Sequence, residues 1–222
     1  MNRHLSPLAM ADADRLHQLT QARLRAGAPE MAPPPVGKQP MPAVQGLAMS
    51  YRRAAARDGH YVVYLPGAFE KALQGSRPIN LRKSHNKAKS YGSTADGSLE
   101  VCDGPHGLGI RWTPKCEAGQ RLFEEVREGR LCGLSVGCLR RSVSNKTIAG
   151  ELVVFVHEAD LTEISLTEQP GMSQTAAWIT NAASAPPLRE AVASGNLRCR
   201  AARFHVDRSF ESLSTILERA HD

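Results

Sequence analysis

Ser135 lies in the run Leu131-Cys132-Gly133-Leu134-Ser135-Val136-Gly137-Cys138, a serine between two glycines in an otherwise apolar stretch. His85 stands fifty residues upstream, and Glu163 follows in Leu161-Thr162-Glu163-Ile164-Ser165-Leu166. A serine hydroxyl is a weak nucleophile at its own pKa, so an enzyme that uses one supplies a base for the proton and a third group to orient that base. The chain carries all three types, in the order His, Ser, Glu. Singly they say little: a serine between glycines in a strand commonly marks a close backbone approach, and one histidine among eight is usually a surface residue. Asp160 and His157 are near enough to Glu163 in sequence that either could orient a histidine instead.

The elements that must position these residues can be read from periodicity. Successive side chains of a strand point to opposite faces, so Ser135 faces away from Leu134 and Val136, and Glu163 away from Thr162 and Ile164. Both polar residues can therefore share one face, which Ser165 joins as a supporting hydroxyl, while Leu134, Val136, Ile164 and Leu166 supply the core-directed face. His85 falls in the polar, basic segment 80–91, which predicts a strand end followed by a loop, a common place for catalytic groups.

Tyr61-Val62-Val63-Tyr64-Leu65 predicts a strand, turned by Pro66-Gly67 into a short helix with Phe69 and Leu73 that closes at Gly75. Residues 98–102 and 109–112 flank Asp103-Gly104-Pro105-His106-Gly107 and predict a hairpin. Residues 117–128 form the best helix, with Leu122, Phe123 and Val126 at core spacing and Gly129 at its end. Strands are expected over 134–139, 151–157 and 161–167, with turns at Ser144-Asn145-Lys146 and Ala159-Asp160. Many short strands and few helices argue for an α+β fold, a mostly antiparallel, barrel-like sheet with surrounding helices. Three regions follow. Residues 1–43 form a tail in which Asp12 or Asp14 caps a helix bearing Leu16, Leu19 and Leu24, followed by the proline-rich linker 27–43. Residues 44–180 form the compact domain, and residues 181–222 a second tail ending in a helix capped by Asp207, with Phe210, Leu213, Ile216 and Leu217.

Composition narrows the class. At 222 residues the chain can bury a core without a staple. Its five cysteines, Cys102, Cys116, Cys132, Cys138 and Cys199, contain no C-x-x-C pair, which argues against a disulfide framework or structural zinc and for a reducing cytosol. Cys132 and Cys138 read as small apolar residues rather than nucleophiles, and His106 with Cys102 and Cys116 has no metal-ligand spacing. No apolar run reaches the roughly 20 residues that span a bilayer, and no secretory signal is expected. The net charge of +6 is mild, and with 5% aromatics the cluster Arg82, Lys83, Lys87 and Lys89 reads as a solvated loop rather than a nucleic-acid surface.

Beyond these readings, Leu47-Ala48-Met49-Ser50-Tyr51, Leu65-Pro66-Gly67-Ala68-Phe69 with Leu73, His85, Gly129-Arg130-Leu131-Cys132-Gly133-Leu134-Ser135-Val136-Gly137, and Glu163-Ile164-Ser165-Leu166 with Pro170 together resemble the prohead (capsid maturation) proteases of tailed bacteriophages. That family is related in fold to the herpesvirus assemblins. The resemblance covers residues 44–177 and implies a serine endopeptidase with Ser135 as nucleophile, His85 as general base and Glu163 as third member, and no cofactor. It further implies oxyanion donors near residues 168–171. The partners implied are the major capsid protein with its scaffolding segment, and the chain itself through autocleavage and self-association. The location implied is the procapsid in the host cytoplasm. Three positions depart from the family pattern: Cys138 stands where an aromatic residue is usual, Asn86 where aspartate often follows the histidine, and Pro170-Gly171-Met172 in place of a Pro-Ala-Asn-like turn. Two rival readings come from other classes: a catalytically silent scaffolding module, and a basic DNA-packaging factor using residues 82–89.

Overall fold

The computed structural model describes residues 42–172 and 175–197. The expected N-terminal helix, nearly all of the proline-rich linker, Cys199 and the C-terminal helix lie outside the described residues.

The first strand is almost wholly buried along its length. β1 (Pro42–Ser50) sits between two neighbours, so Val44 and Ala48 enter the main core while Leu47 joins a second cluster on the opposite side. Those neighbours are β7 (Gly107–Trp112) and β10 (Ala176–Asn181), both antiparallel to it, and β6 (Leu99–Gly104) completes a four-stranded antiparallel sheet in the order β10-β1-β7-β6. β6 and β7 form the expected hairpin, with Gly104 opposite Gly107 and only Pro105 and His106 between them.

The second sheet holds β2 (Ala54–Arg57), β3 (His60–Tyr64), β4 (Asn80–Lys83), the two-residue β5 (Gly92–Ser93), β8 (Gly133–Ile148) and β9 (Glu151–Thr167). β9 organises it. One edge of β9 pairs with β8 along nearly its whole length, antiparallel; the other edge takes β3 near its beginning and β4 near its end, both parallel.

The fold is therefore α+β, but its sheets do not close into a barrel. Closure needs a strand on every edge, and past Cys138 β8 exposes both faces and its outer edge, with no described strand to cover it. The two sheets touch at one corner, where the Ala177 N–H donates to the Cys132 carbonyl (2.8 Å).

Two expected strands, 151–157 and 161–167, are one. Ala159 and Asp160 do not turn the chain because Ala159 is buried with its N–H bonded to the Ala68 carbonyl (2.7 Å), while Asp160 turns outward to pair with Arg141. Ser144, Asn145 and Lys146 likewise stay in β8; the reversal comes at Ala149 and Gly150, with φ of 54° and 87°. Two successive left-handed residues suit a tight hairpin, where glycine carries no Cβ penalty.

Three helices are described. α1 (Glu70–Gln74) follows Phe69 and ends at Gly75, α2 (Glu117–Arg127) buries Gly119, Leu122, Phe123 and Val126, and α3 (Leu188–Ala193) covers the outer face of the four-stranded sheet with Leu188, Ala191 and Val192. The Cys116 thiol accepts the Gly119 N–H at the start of α2, and Gly129, at φ 74°, takes the chain out of it. The main core lies between the sheets, around Trp112, Phe69, Leu81, Ile110, Leu134 and Ile164.

Candidate active site

Antiparallel register sets the site. Ser135 lies opposite Ser165, and Gly137 opposite Glu163, so Ser135, Glu163 and Ser165 share one face. On the other face Leu134 is opposite Leu166 and Val136 opposite Ile164; Leu134, Ile164 and Leu166 have no exposure, and Val136 packs partly buried against the same core. The apolar face anchors this end of the ladder, which holds the polar face in place.

The two glycines around the serine each accept a close neighbour. A methyl group at Gly133 would meet the Pro170 ring at 2.7–3.0 Å, and one at Gly137 would come within 2.4 Å of Glu163 Oε1. Gly137 thus makes room for the carboxylate itself. Ordinary packing explains both glycines, and one of the groups packed is Glu163.

The parallel pairing of β4 with β9 brings the histidine in from the other side of β9. Asn80 is opposite Glu163 and Lys83 opposite Leu166, and the Ser84 N–H extends the ladder by donating to the Leu166 carbonyl (2.9 Å). Ser84 and His85 then both take left-handed conformations, φ 45° and 61°. Such residues cost on the order of 1–3 kcal/mol each and persist where surrounding contacts over-determine them. Here the His85 N–H donates to Ser165 Oγ (3.0 Å) and the Asn86 N–H to the Lys83 carbonyl (3.0 Å). Asn86 keeps a local role, its side-chain oxygen accepting the Ala88 N–H (2.9 Å).

The turn aims the imidazole between the other two groups. His85 Nδ1 lies 2.5 Å from Glu163 Oε1, and Nε2 lies 2.9 Å from Ser135 Oγ. Glu163 is 7% exposed, and its second oxygen accepts the Ser165 hydroxyl (2.7 Å). A carboxylate accepts only, so Nδ1 carries the proton toward Glu163 and Nε2 is left to accept the Ser135 hydroxyl. Ser165 ties the arrangement together, receiving the His85 backbone and donating to Glu163. About half of the imidazole side chain remains exposed, so the serine side is open to a substrate.

The alternatives to Glu163 are engaged elsewhere. Asp160 accepts Arg141 Nε (2.7 Å), and His157 Nε2 lies 2.7 Å from Ser144 Oγ.

Sequence reasoning overlooked two threonines that brace the serine strand. Thr162 Oγ1 donates to the Gly137 carbonyl and Thr175 Oγ1 to that of Leu134, each at 2.7 Å. The position of Thr162 between Leu161 and Glu163 was visible in the sequence; the pairing that uses its hydroxyl was not.

Cys138 sits where β8 first slips its register, partly buried, with its sulfur 3.0 Å from the Tyr64 hydroxyl. Burial raises the pKa of this thiol and outweighs the lowering by Tyr64, and burial likewise raises that of Tyr64. Cys132 is also partly buried. Among the described residues no three His, Cys, Asp or Glu side chains converge as a metal site, and no helix is long and apolar enough to cross a membrane. In the basic segment Lys83 pairs with Glu125 (2.5 Å) and Lys89 lies over the Tyr91 ring.

Residues 38–186, more than half of the chain, match the family model of the caudovirus prohead serine protease. No curated protein matches the sequence.

Proposed function

We propose that this chain, which belongs to the caudovirus prohead serine protease family, is a serine endopeptidase in which Ser135 is the nucleophile, His85 the general base and Glu163 the group that orients it. Membership implies a part in phage capsid maturation, in the procapsid within the host cell, in company with capsid or scaffold proteins. The observation that carries the mechanism is the continuous hydrogen-bonded path from Ser135 Oγ through the His85 ring to Glu163.

In this reading His85 Nε2 takes the Ser135 proton as Oγ attacks a peptide carbonyl. The imidazolium then gives that proton to the departing amine as the C–N bond breaks, leaving an acyl-serine. Water repeats the sequence: Nε2 removes its proton, the ester bond breaks, and Ser135 recovers its hydrogen. Glu163 stabilises the imidazolium in both halves, and Ser165 holds Glu163 and the strained His85 turn in register. Oxyanion donors are proposed in residues 168–171, where loss of one donor typically costs about 2.7–4 kcal/mol of barrier. Pro170 has no N–H and the Gln169 N–H goes to Thr167 Oγ1 (3.2 Å), so the donors this loop can contribute are Glu168 and Gly171.

The substrates are the scaffold or the scaffolding segment of the major capsid protein, together with the chain's own tails, most of whose residues lie outside the matched region. The test is mass spectrometry of the purified chain beside Ser135→Ala, each incubated alone and with the capsid-protein precursor. Trimming and precursor cleavage are expected in the first and absent in the second. Unchanged cleavage by Ser135→Ala would show the Ser135 reading to be wrong, and no cleavage by either chain would favour a silent assembly module.

A further inference from the structure

Beside Ser135 the surface opens into a small cleft. Ala55, Val62 and Met172 give it an apolar wall, Ser135 stands at its lip, and Arg57 and Arg140 add two guanidinium groups. The arginines arrive from separate strands, at the end of β2 and on β8 just past the register slip at Cys138. They belong to one locality. Both act on the Cys138 thiol, and Arg140 also acts on the Tyr64 hydroxyl. The Arg57 guanidinium lies against Gly171, where a methyl group would come within 2.6 Å of it.

Neither Arg57 nor Arg140 forms an ion pair with a carboxylate among the described residues. Glu163, which also acts on Cys138, is already committed to His85 and Ser165. Two fixed positive charges beside an apolar wall suit a short aliphatic stem ending in a carboxylate, the group for which guanidinium geometry is best matched.

Attack requires the scissile carbonyl to sit about 3–3.5 Å from Ser135 Oγ. The residue that owns this carbonyl therefore has its Cα within one further bond, and its side chain is the one that can enter a space lined by Ser135. We propose that the cleft receives this side chain and that Arg57 and Arg140 select a carboxylate in it, so that the enzyme cuts peptide chains after glutamate or aspartate. The proposal rests on the hydrolytic reading of Ser135 and adds its substrate class. Glutamine fills the same space without the charge, and lysine is repelled.

The test uses the full chain on a proteome-derived peptide library in which carboxylates are unmodified, with cut sites read by mass spectrometry and Ser135 occupancy measured on the same preparation with a fluorophosphonate probe. Cuts after glutamate or aspartate should exceed cuts after glutamine or alanine by about tenfold or more after correction for abundance, with lysine least represented. The preference should shrink as salt rises, because the arginines are accessible to screening ions. Arg57→Gln/Arg140→Gln should bring the glutamate-to-glutamine ratio toward one, and the charge-reversed Arg57→Glu/Arg140→Glu should shift cutting toward lysine. A natural chain labelled at Ser135 that shows no acidic preference, or cuts no acidic site, overturns the proposal and leaves the nucleophile assignment standing. A natural chain that neither labels at Ser135 nor cuts any peptide overturns the hydrolytic reading, and this inference with it.

Discussion

At its Gly133 end the β8–β9 ladder is packed on its apolar face, with Leu134, Ile164 and Leu166 wholly buried beneath it and Ser135, Glu163 and Ser165 above. At its Ile148 end β8 still pairs with β9, through register shifts between Arg140 and Ser142 and between Ser142 and Val143, yet β8 is exposed from residue 139 to 147, with Leu139 and Val143 about half exposed. Both ends are joined by backbone hydrogen bonds, which contribute only about 0.5–1.5 kcal/mol net each. The ends differ in what lies beneath. Buried apolar contacts hold the site end from below, and side-chain hydrogen bonds from Ser165, Thr162 and Thr175 cross-brace it. The distal end needs only to remain paired. A ladder gives register, and packing gives precision.

Five experiments bear on this contrast, beginning with the largest effect. Ser135→Ala removes one hydroxyl from the site end without touching its apolar face, so activity should fall on the order of 10⁴–10⁶-fold. Its thermal midpoint should stay within a degree or two, roughly what a surface-sized change in stability produces; a cooperative loss of structure measured by circular dichroism would mean that the hydroxyl is also structural. Leu166→Ala leaves every polar group of the site in place but hollows the face below, and should cost about 2–5 kcal/mol in chemical denaturation. A cost below about 0.5 kcal/mol would break the contrast.

Gly137→Ala, a change outside the three proposed catalytic side chains, pushes a methyl group into Glu163. A displacement near 1 Å should lower kcat on the order of 10²-fold, and steady-state kinetics on a capsid-precursor substrate would measure it; wild-type kcat would show that Glu163 can swing aside freely. On the distal arm, Val143→Thr should alter stability by no more than about 0.5 kcal/mol and leave kcat unchanged, as denaturant midpoints and the same assay would report. Between the two ends, Cys138 should react with a thiol-selective reagent at mildly alkaline pH more slowly than the exposed Cys116, because burial raises its pKa and reduces its thiolate fraction. Equal rates would mean that the ladder opens as far as the register slip.

Much of the site was legible because strand geometry has a period of two. Alternation put Ser135 and Glu163 on one face and Leu134, Ile164 and Leu166 on the other, and the structure has them so. His85 was readable as a residue at a strand end, though not the consecutive left-handed turn that aims its ring. The helix at residues 117–127 and the β6–β7 hairpin were legible from apolar spacing and turn residues. β1, β2, β10 and α3 were not, because short segments buried on both sides or dominated by alanine carry no periodic contrast. The turn expected at Ser144-Asn145-Lys146 failed for a related reason: polar residues on an exposed strand look like a loop in sequence.

What the sequence determined alone was local: the order of hydroxyl, imidazole and carboxylate along the chain, and the face of its strand that each polar residue occupies. These follow from side-chain chemistry and from the alternation of a pleated backbone. Only the tertiary structure decided that β3 and β4 would share one edge of a single long β9, that the sheets would stay open, and that Gly137 would be small for the sake of Glu163. Those outcomes depend on contacts between segments tens of residues apart, such as the 80 residues separating the His85 N–H from Ser165 Oγ. Their geometry is set by how the two apolar faces pack, which no window of sequence contains.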